Sequence, residues 1–178
     1  MGSVVHLSAD GEHRFSKIAC ETLKLITGIG IVGDAHAGVT VQHRSHVRRN
    51  PEAPNLRQVH LLHSELLDEL RQAGFAVEPG ALGENLTTRE IPILELSRGT
   101  RLQIGGTVEL EITGLRNPCS QIEAFQPGLL KAVLGRNDDG SLVRKTGVMA
   151  IVINGGEVSI GDRITVVPPN RFVPLEPV

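Results

Sequence analysis

A chain of 178 residues with 40% hydrophobic residues is long enough to enclose its own core and reads as one domain over residues 1–168, with a Pro-rich tail at 169–178 outside that core. Its 18 Lys and Arg against 20 Asp and Glu give a formal charge of -2, so no global field draws it to nucleic acid or a membrane. With no Trp or Tyr and four Phe it lacks stacking platforms for single strands. Two cysteines, Cys20 and Cys119, no charged-then-apolar leader and no run long enough to span a bilayer set the expectation of a cytoplasmic chain with free thiols.

In chain order, residues 4–7 and 22–26 read as strands separated by the polar turn 10–13. Gly28, Gly30 and Gly33 match the dinucleotide pattern G-x-G-x-x-G. That fingerprint requires a helix to follow at once, whereas Asp34-Ala35-His36-Ala37-Gly38 and a Val-Thr-Val strand follow, so the glycines are assigned to turns. Asp34 and His36, two positions apart, share one side of an extended segment and can face one cleft, or they form an Asx-type turn with an incidental His. The basic run 43–49 can hold an anion, a phosphate through a bidentate Arg, or be a solvated loop. A strand at 58–62 leads to a helix with Ser64 as N-cap, Leu66, Leu67 and Leu70 as its apolar face and Gly74 as its stop; His60 and His63 straddle the junction and read as structural. Residues 79–88 form a glycine-punctuated turn carrying Glu84 and Asn85.

The second half alternates apolar and polar residues. Strands at 101–104 and from 107 meet at Gly105-Gly106 as a hairpin, and a second helical segment at 129–134 ends at Gly135. Residues 148–153, continuously apolar, read as a strand buried on both faces, and turns at 154–156 and 161–162 lead to two more strands. Many short strands with few helices predict a mainly β domain with short helices (α+β), built as a barrel.

Arg116-Asn117-Pro118-Cys119-Ser120-Gln121-Ile122-Glu123 carries the most reactive group. Pro118 ends a strand, and Ser120 with Glu123 three residues on reads as a capping box that leaves Cys119 just outside a helix start. Unpaired amides and Arg116 favour a thiolate there, a nucleophile or soft metal ligand; the alternative is a buried Cys acting as a small hydrophobe.

The ordered set Gly33–Gly38, Leu82–Leu86, Asn117-Pro118-Cys119, Arg144 with Gly147, and Gly155 to Gly161-Asp162 resembles the MOSC domain, the family named after the C-terminal domain of molybdenum cofactor sulfurases. The resemblance implies a mixed β-barrel of the MOSC type in which Cys119 either carries persulfide sulfur or ligates the molybdenum of a molybdopterin cofactor. On the first picture the sulfur comes from a pyridoxal-phosphate-dependent cysteine desulfurase acting as partner. On the second, a molybdenum-dependent reductase of N-hydroxylated bases or amidoximes draws electrons from an external electron-transfer protein. Cys119, Asp34, His36 and Arg116 are then the catalytic candidates, Glu84 and Asn85 candidates for the pterin edge, and His43 and Arg44 for its phosphate. A zinc hydrolase using His36, His43, His46 and Cys119 is the rival with the right residue types but no compact ligand spacing.

Overall fold

The alternation in the sequence closes into a barrel. The computed structural model describes residues 2–178. Its first half runs β1 (Gly2–Ala9), β2 (Ile18–Ala19), β3 (Thr22–Ile26), β4 (Gly30–Ile31), α1 (Arg44–Val47), β5 (Val59–His63), α2 (Ser64–Gln72) and β6 (Leu86–Arg89). The second half adds β7 (Arg101–Ile104), β8 (Val108–Leu115), α3 (Ser120–Phe125), α4 (Leu129–Ala132), β9 (Leu134–Arg136), β10 (Leu142–Arg144), β11 (Val148–Asn154), β12 (Gly156–Ser159) and β13 (Arg163–Val167). Seven strands pair in the order β13-β7-β8-β11-β5-β6-β1, and β1 closes back on β13, which leaves the barrel without an open side. Its neighbours are antiparallel except β5 and β6, which run parallel and are linked by the crossover through α2. The barrel is therefore mixed, as expected.

Strand alternation decides what lies on each side of the wall. Val59 and Leu61 of β5, and Val148, Ala150 and Val152 of β11, point inward to the main core with Leu110, Ile112 and Ile104. His60 and Met149, paired in register between β5 and β11, take the outer face. That face is covered: Leu62 packs with Leu66, Leu67 and Leu70 of α2, Ile122 of α3 and Leu129 of α4 in a second cluster. Gly74, with φ 91, ends α2 as the sequence predicts.

The structure corrects several local readings. Ser64 is not the N-cap of α2; His63 is, and the buried Ser64 hydroxyl instead accepts from Arg89 Nε at 2.9 Å, because β5 runs straight into the helix. The Val-Thr-Val segment forms no strand, only a bridge from Thr40 to Pro54. The second helical segment stops at Ala132, and Leu134 already belongs to β9. The tail after Pro168 does not stay clear of the core. Leu175 packs against it, and Leu115 N donates to the Glu176 carbonyl at 2.8 Å, since the end of β8 has backbone groups left to pair once β7 has turned away.

His60 supplies a test of this architecture. Its ring is buried, with Nε2 2.7 Å from the Thr146 carbonyl, and burial followed by the charge of Arg116 pushes it down to about 3 from 6.5. Across that interval the unfolded chain binds the extra proton, so stability rises with pH between 3 and 6.5 and is lost progressively as pH falls from 6.5 towards 3. In His60→Gln, which keeps a donor for Thr146, the slope of unfolding free energy against pH should be shallower by about one proton over this window. Equal slopes in chemical denaturation series would show that His60 is not held neutral.

Candidate active site in a basic cleft

Loops from both halves roof the outer face of the wall at His60 and Met149, and Asp34 is the hub that holds them. Its carboxylate is fully enclosed and accepts from Lys17 Nζ, from Asn85 Nδ2 at 2.9 Å, and from the backbone N and ring Nδ1 of His36 at 2.9 and 3.1 Å. Burial alone would raise the Asp34 pKa, but the His36 hydrogen bonds and the Lys17 charge outweigh it and hold the carboxyl well below the usual range. Asn55 Nδ2 pins the same turn by donating to the carbonyls of His36 and Gly38 at 2.8 and 3.0 Å. Both readings of the Asp34–His36 pair thus describe parts of one arrangement. The Asx-type turn forms, and the His is not incidental to it: Nδ1–H donates to Asp34, which leaves Nε2 for the cleft.

The cleft consists of three adjoining cavities that share His43 and Gln121. The innermost, about 70 Å³, reaches Lys17, His36, Arg57, His60, Asn85 and Arg116. A second, about 350 Å³, places Cys119 beside Arg57 and Arg116. The third, about 230 Å³, opens past His36 to Arg14, Arg44 and Arg48. Lys17 is balanced by Asp34, but no carboxylate lies within 4.0 Å of the Arg57 or Arg116 guanidinium among the described residues. Arg116 is 7% exposed, and its Nη1, like Nε of Arg57, is buried without a hydrogen-bond partner. Burial and the nearby Arg116 push Arg57 down to about 10, and burial also lowers Arg116. Burial and Arg57 push His43 down to about 4, so it is neutral near pH 7. One buried and one half-buried guanidinium, with no carboxylate partner between them, suit this site to an anion.

Cys119 is the N-cap residue of α3 itself, in extended conformation, with no side-chain cap bond. The expected capping box does not form: Glu123 accepts instead from the amides of Gly128 and Leu130 at 2.8 and 3.3 Å, tying α3 to α4. The sulfur is half-buried and faces Gln121 Oε1 at 3.6 Å, so Cys119 is no core hydrophobe. Its neighbours are firmly held. Arg116 N donates to the Gly147 carbonyl at 3.0 Å, Thr146 Oγ1 donates to the Arg116 carbonyl at 3.1 Å, and Arg144 Nε donates to Asn117 Oδ1 at 2.9 Å. Gly147 has φ 81 and lies so close to the Leu61 carbonyl that any Cβ would collide with it.

Of the residues singled out by sequence, Cys119, Arg116, His36, Asn85, His43 and Arg44 line these cavities, with Asp34 directly beneath. Glu84 does not. It is fully buried, accepts from Gly80 N at 2.7 Å and Thr87 Oγ1 at 3.3 Å within its own turn, and burial raises its pKa. Its position gives it no reach to a pterin edge. The structure adds Lys17, Arg57, Asn55 and Gln121. The proposed zinc set does not converge: among the described residues no three His, Cys, Asp or Glu side chains are grouped to hold a metal ion, and the His36, His43 and His46 rings stand in a row 6.1 and 5.4 Å apart.

The structure is thus a closed, mixed barrel with a half-buried cysteine in a basic cleft on its outer wall. This chain belongs to the MOSC domain family, which it matches over residues 36–165. No curated protein matches it. It is similar to the YuaD protein from Bacillus subtilis, with 26% identity and TM-score 0.75 over 93% of this chain and 96% of that one. It shares its fold with YiiM from Escherichia coli, at 22% identity and TM-score 0.62 over 97% and 73% of the two chains. YiiM from Geobacillus stearothermophilus shares it at 16% identity and TM-score 0.64 over 94% and 75%.

The unpaired guanidiniums should govern how Cys119 meets charged reagents. Relative to a small free thiol, Cys119 should react with iodoacetate in preference to iodoacetamide by roughly three- to tenfold, and the preference should fall in high salt and in Arg57→Gln. A ratio matching that of the free thiol would mean that the cleft's field does not reach the sulfur.

Proposed function

We propose that this chain binds a molybdenum cofactor, with the Cys119 thiolate as protein ligand to the metal, and that the loaded protein reduces N-hydroxylated bases or amidoximes. One observation carries this reading: buried Arg116 and half-buried Arg57 stand without a carboxylate partner beside the half-exposed Cys119 sulfur, a set suited to an oxygen-rich, anionic group with a soft-ligand metal. The innermost cavity is too small for a pterin, so the ring system would lie in the two outer cavities, with Asn117 and Gln121 available to its polar edge and Arg44 and His43 to its phosphate. When bound, such a cofactor supplies a two-electron redox centre.

The chain's own residues then have separable tasks. Reducing an N-hydroxyl group consumes two electrons and two protons, breaks the N–O bond and releases the oxygen as water. The electrons come from an external electron-transfer protein. A proton must reach the departing oxygen, and His36 would relay it: Asp34 and Asn55 fix the ring and its backbone, and Nε2 takes a proton from solvent in the cleft before passing it on. Arg57 and Arg116 hold anionic groups, and Asn85 couples the hub to the wall through His60 N, which donates to Asn85 Oδ1 at 3.1 Å.

A second reading, persulfide carriage, draws on the openness of Cys119, whose sulfur has no close partner besides Gln121 and lies in the larger cavity. Sulfur released as thiocyanate by cyanide, from protein incubated with a cysteine desulfurase, would favour it.

The deciding experiment is expression in a host that makes molybdenum cofactor, followed by metal and pterin analysis. Wild type should retain both and Cys119→Ser should lose most of the molybdenum; equal retention would remove Cys119 as the ligand. A cofactor-free test reads the same cleft. Molybdate at 100 times its dissociation constant should stabilise the protein by about 2.7 kcal/mol. Arg57→Met should lose that response while leaving the stability of the ligand-free protein within about 1 kcal/mol, because the half-buried cation removed has no carboxylate partner and only the His46 ring to lose. A destabilised Arg57→Met that still responds to molybdate would contradict the anion assignment.

A further inference from the structure

The C-terminal segment supplies an apolar wall to an otherwise basic cavity. Pro177 and Val178 line the same 350 Å³ space as Cys119, Arg57 and Arg116. They arrive there by strand addition. β7 pairs with β8 only as far as Glu111, which leaves one edge of residues 113–115 uncovered, and the tail runs parallel to it. Leu115 N donates to the Glu176 carbonyl at 2.8 Å, and Val178 N donates to the Leu115 carbonyl at 3.2 Å. Further back, Arg98 N donates to the Val173 carbonyl at 2.9 Å, Val173 N donates to Ser97 Oγ at 2.8 Å, and Leu175 anchors the segment on the core. The close approach depends on Gly114. A Cβ there would collide with the Glu176 carbonyl and come within 2.6 Å of a Val178 methyl carbon.

From this geometry we infer that the tail determines specificity: Pro177 and Val178 set the size of molecule that can reach the Cys119 sulfur. Leu115 immediately precedes Arg116, so the same two hydrogen bonds clasp the strand end that presents the guanidinium. The wall is apolar where the rest of the cavity is cationic or amide-bearing. A planar ligand with one polar edge and one bare face fits between them better than one polar all round. The inference rests on Cys119 as the reacting atom, as in the proposed function, but not on the presence of molybdenum.

Thiol labelling tests it without any cofactor. The rate at which a bulky aryl maleimide labels Cys119, divided by the rate for iodoacetamide and assigned to Cys119 by peptide mass, reports the width of the entrance. Gly114→Ala, which lifts the tail without altering it, and Val178→Ala should raise this ratio by about tenfold, the discrimination that a methylene-sized misfit supplies. Val178→Phe should lower it. If Gly114→Ala fails to fold, the opposed shifts of Val178→Ala and Val178→Phe decide the matter. Folded variants that leave the ratio unchanged, or that move it in the same direction, overturn the inference. A changed ratio in protein that never takes up molybdenum would sink the cofactor reading and leave the role of the tail standing.

Discussion

The structure depends on the unequal treatment of buried charge on the two sides of one cleft. On one side Asp34 is fully answered: the carboxylate collects Lys17, His36 and Asn85, and three loops distant in sequence are held by one anion. On the Arg116 side no carboxylate answers Arg57 or Arg116: Arg57 reaches only the His46 ring at 3.3 Å, and both guanidiniums have a nitrogen shut away from water without a partner. Leaving such groups unsatisfied costs on the order of 1–3 kcal/mol each. The fold tolerates this while fixing the Arg116 backbone through Gly147 and Thr146, which is the arrangement an anionic ligand would complete.

The barrel makes that arrangement affordable in structural terms because it separates stability from chemistry. Val59, Leu61, Val148 and Ala150 fill the interior, and the residues between them, His60 and Met149, become the cleft floor on the outer wall. Helices α2, α3 and α4 bury the adjoining part of that wall through Leu62, Ile122 and Leu129 and bring Cys119 to the rim. The short α3 matters less as a source of dipole than as a way of placing the sulfur beside two cations. Its first turn is capped by no side chain, and Glu123 serves the junction with α4.

Much of this was legible in the sequence, for reasons that can be named. Period-two alternation revealed β3, β7, β8 and β13, and the unbroken apolar run revealed β11 as a central strand. β6 escaped because Leu86–Arg89 shows no alternation: Thr87 and Thr88 are both buried, satisfied by Glu84 Oε1 and the Leu62 carbonyl, partners that only the fold supplies. Asp34, His36 and Cys119 stood out by chemistry and spacing. Lys17 and Arg57 did not, since a single cation in a polar loop carries no pattern. For Arg57 the available signal was its place two residues before the buried strand β5; Lys17 precedes the exposed Ile18 and carried no such signal. Glu84 misled in the opposite sense, because a carboxylate in a glycine-rich turn looks like a ligand group until its burial and its bonds to that turn are seen.

Two residues of the ordered motif set act only through geometry. Gly147 lets the chain pass against Leu61, which sets the position of the Gly147 carbonyl, which in turn accepts from Arg116 N. Arg144 holds Asn117, and with it the turn through Pro118 that delivers Cys119. Gly114, outside that set, performs the equivalent service for the tail. None of the three is a charged neighbour of the sulfur, yet each fixes a backbone segment next to Cys119 or Arg116. Misplacement by about 1 Å at such positions can cost about a hundredfold in rate. The backbone around Arg116 and Cys119 is therefore braced from three directions, while the space those two side chains face is left for a ligand.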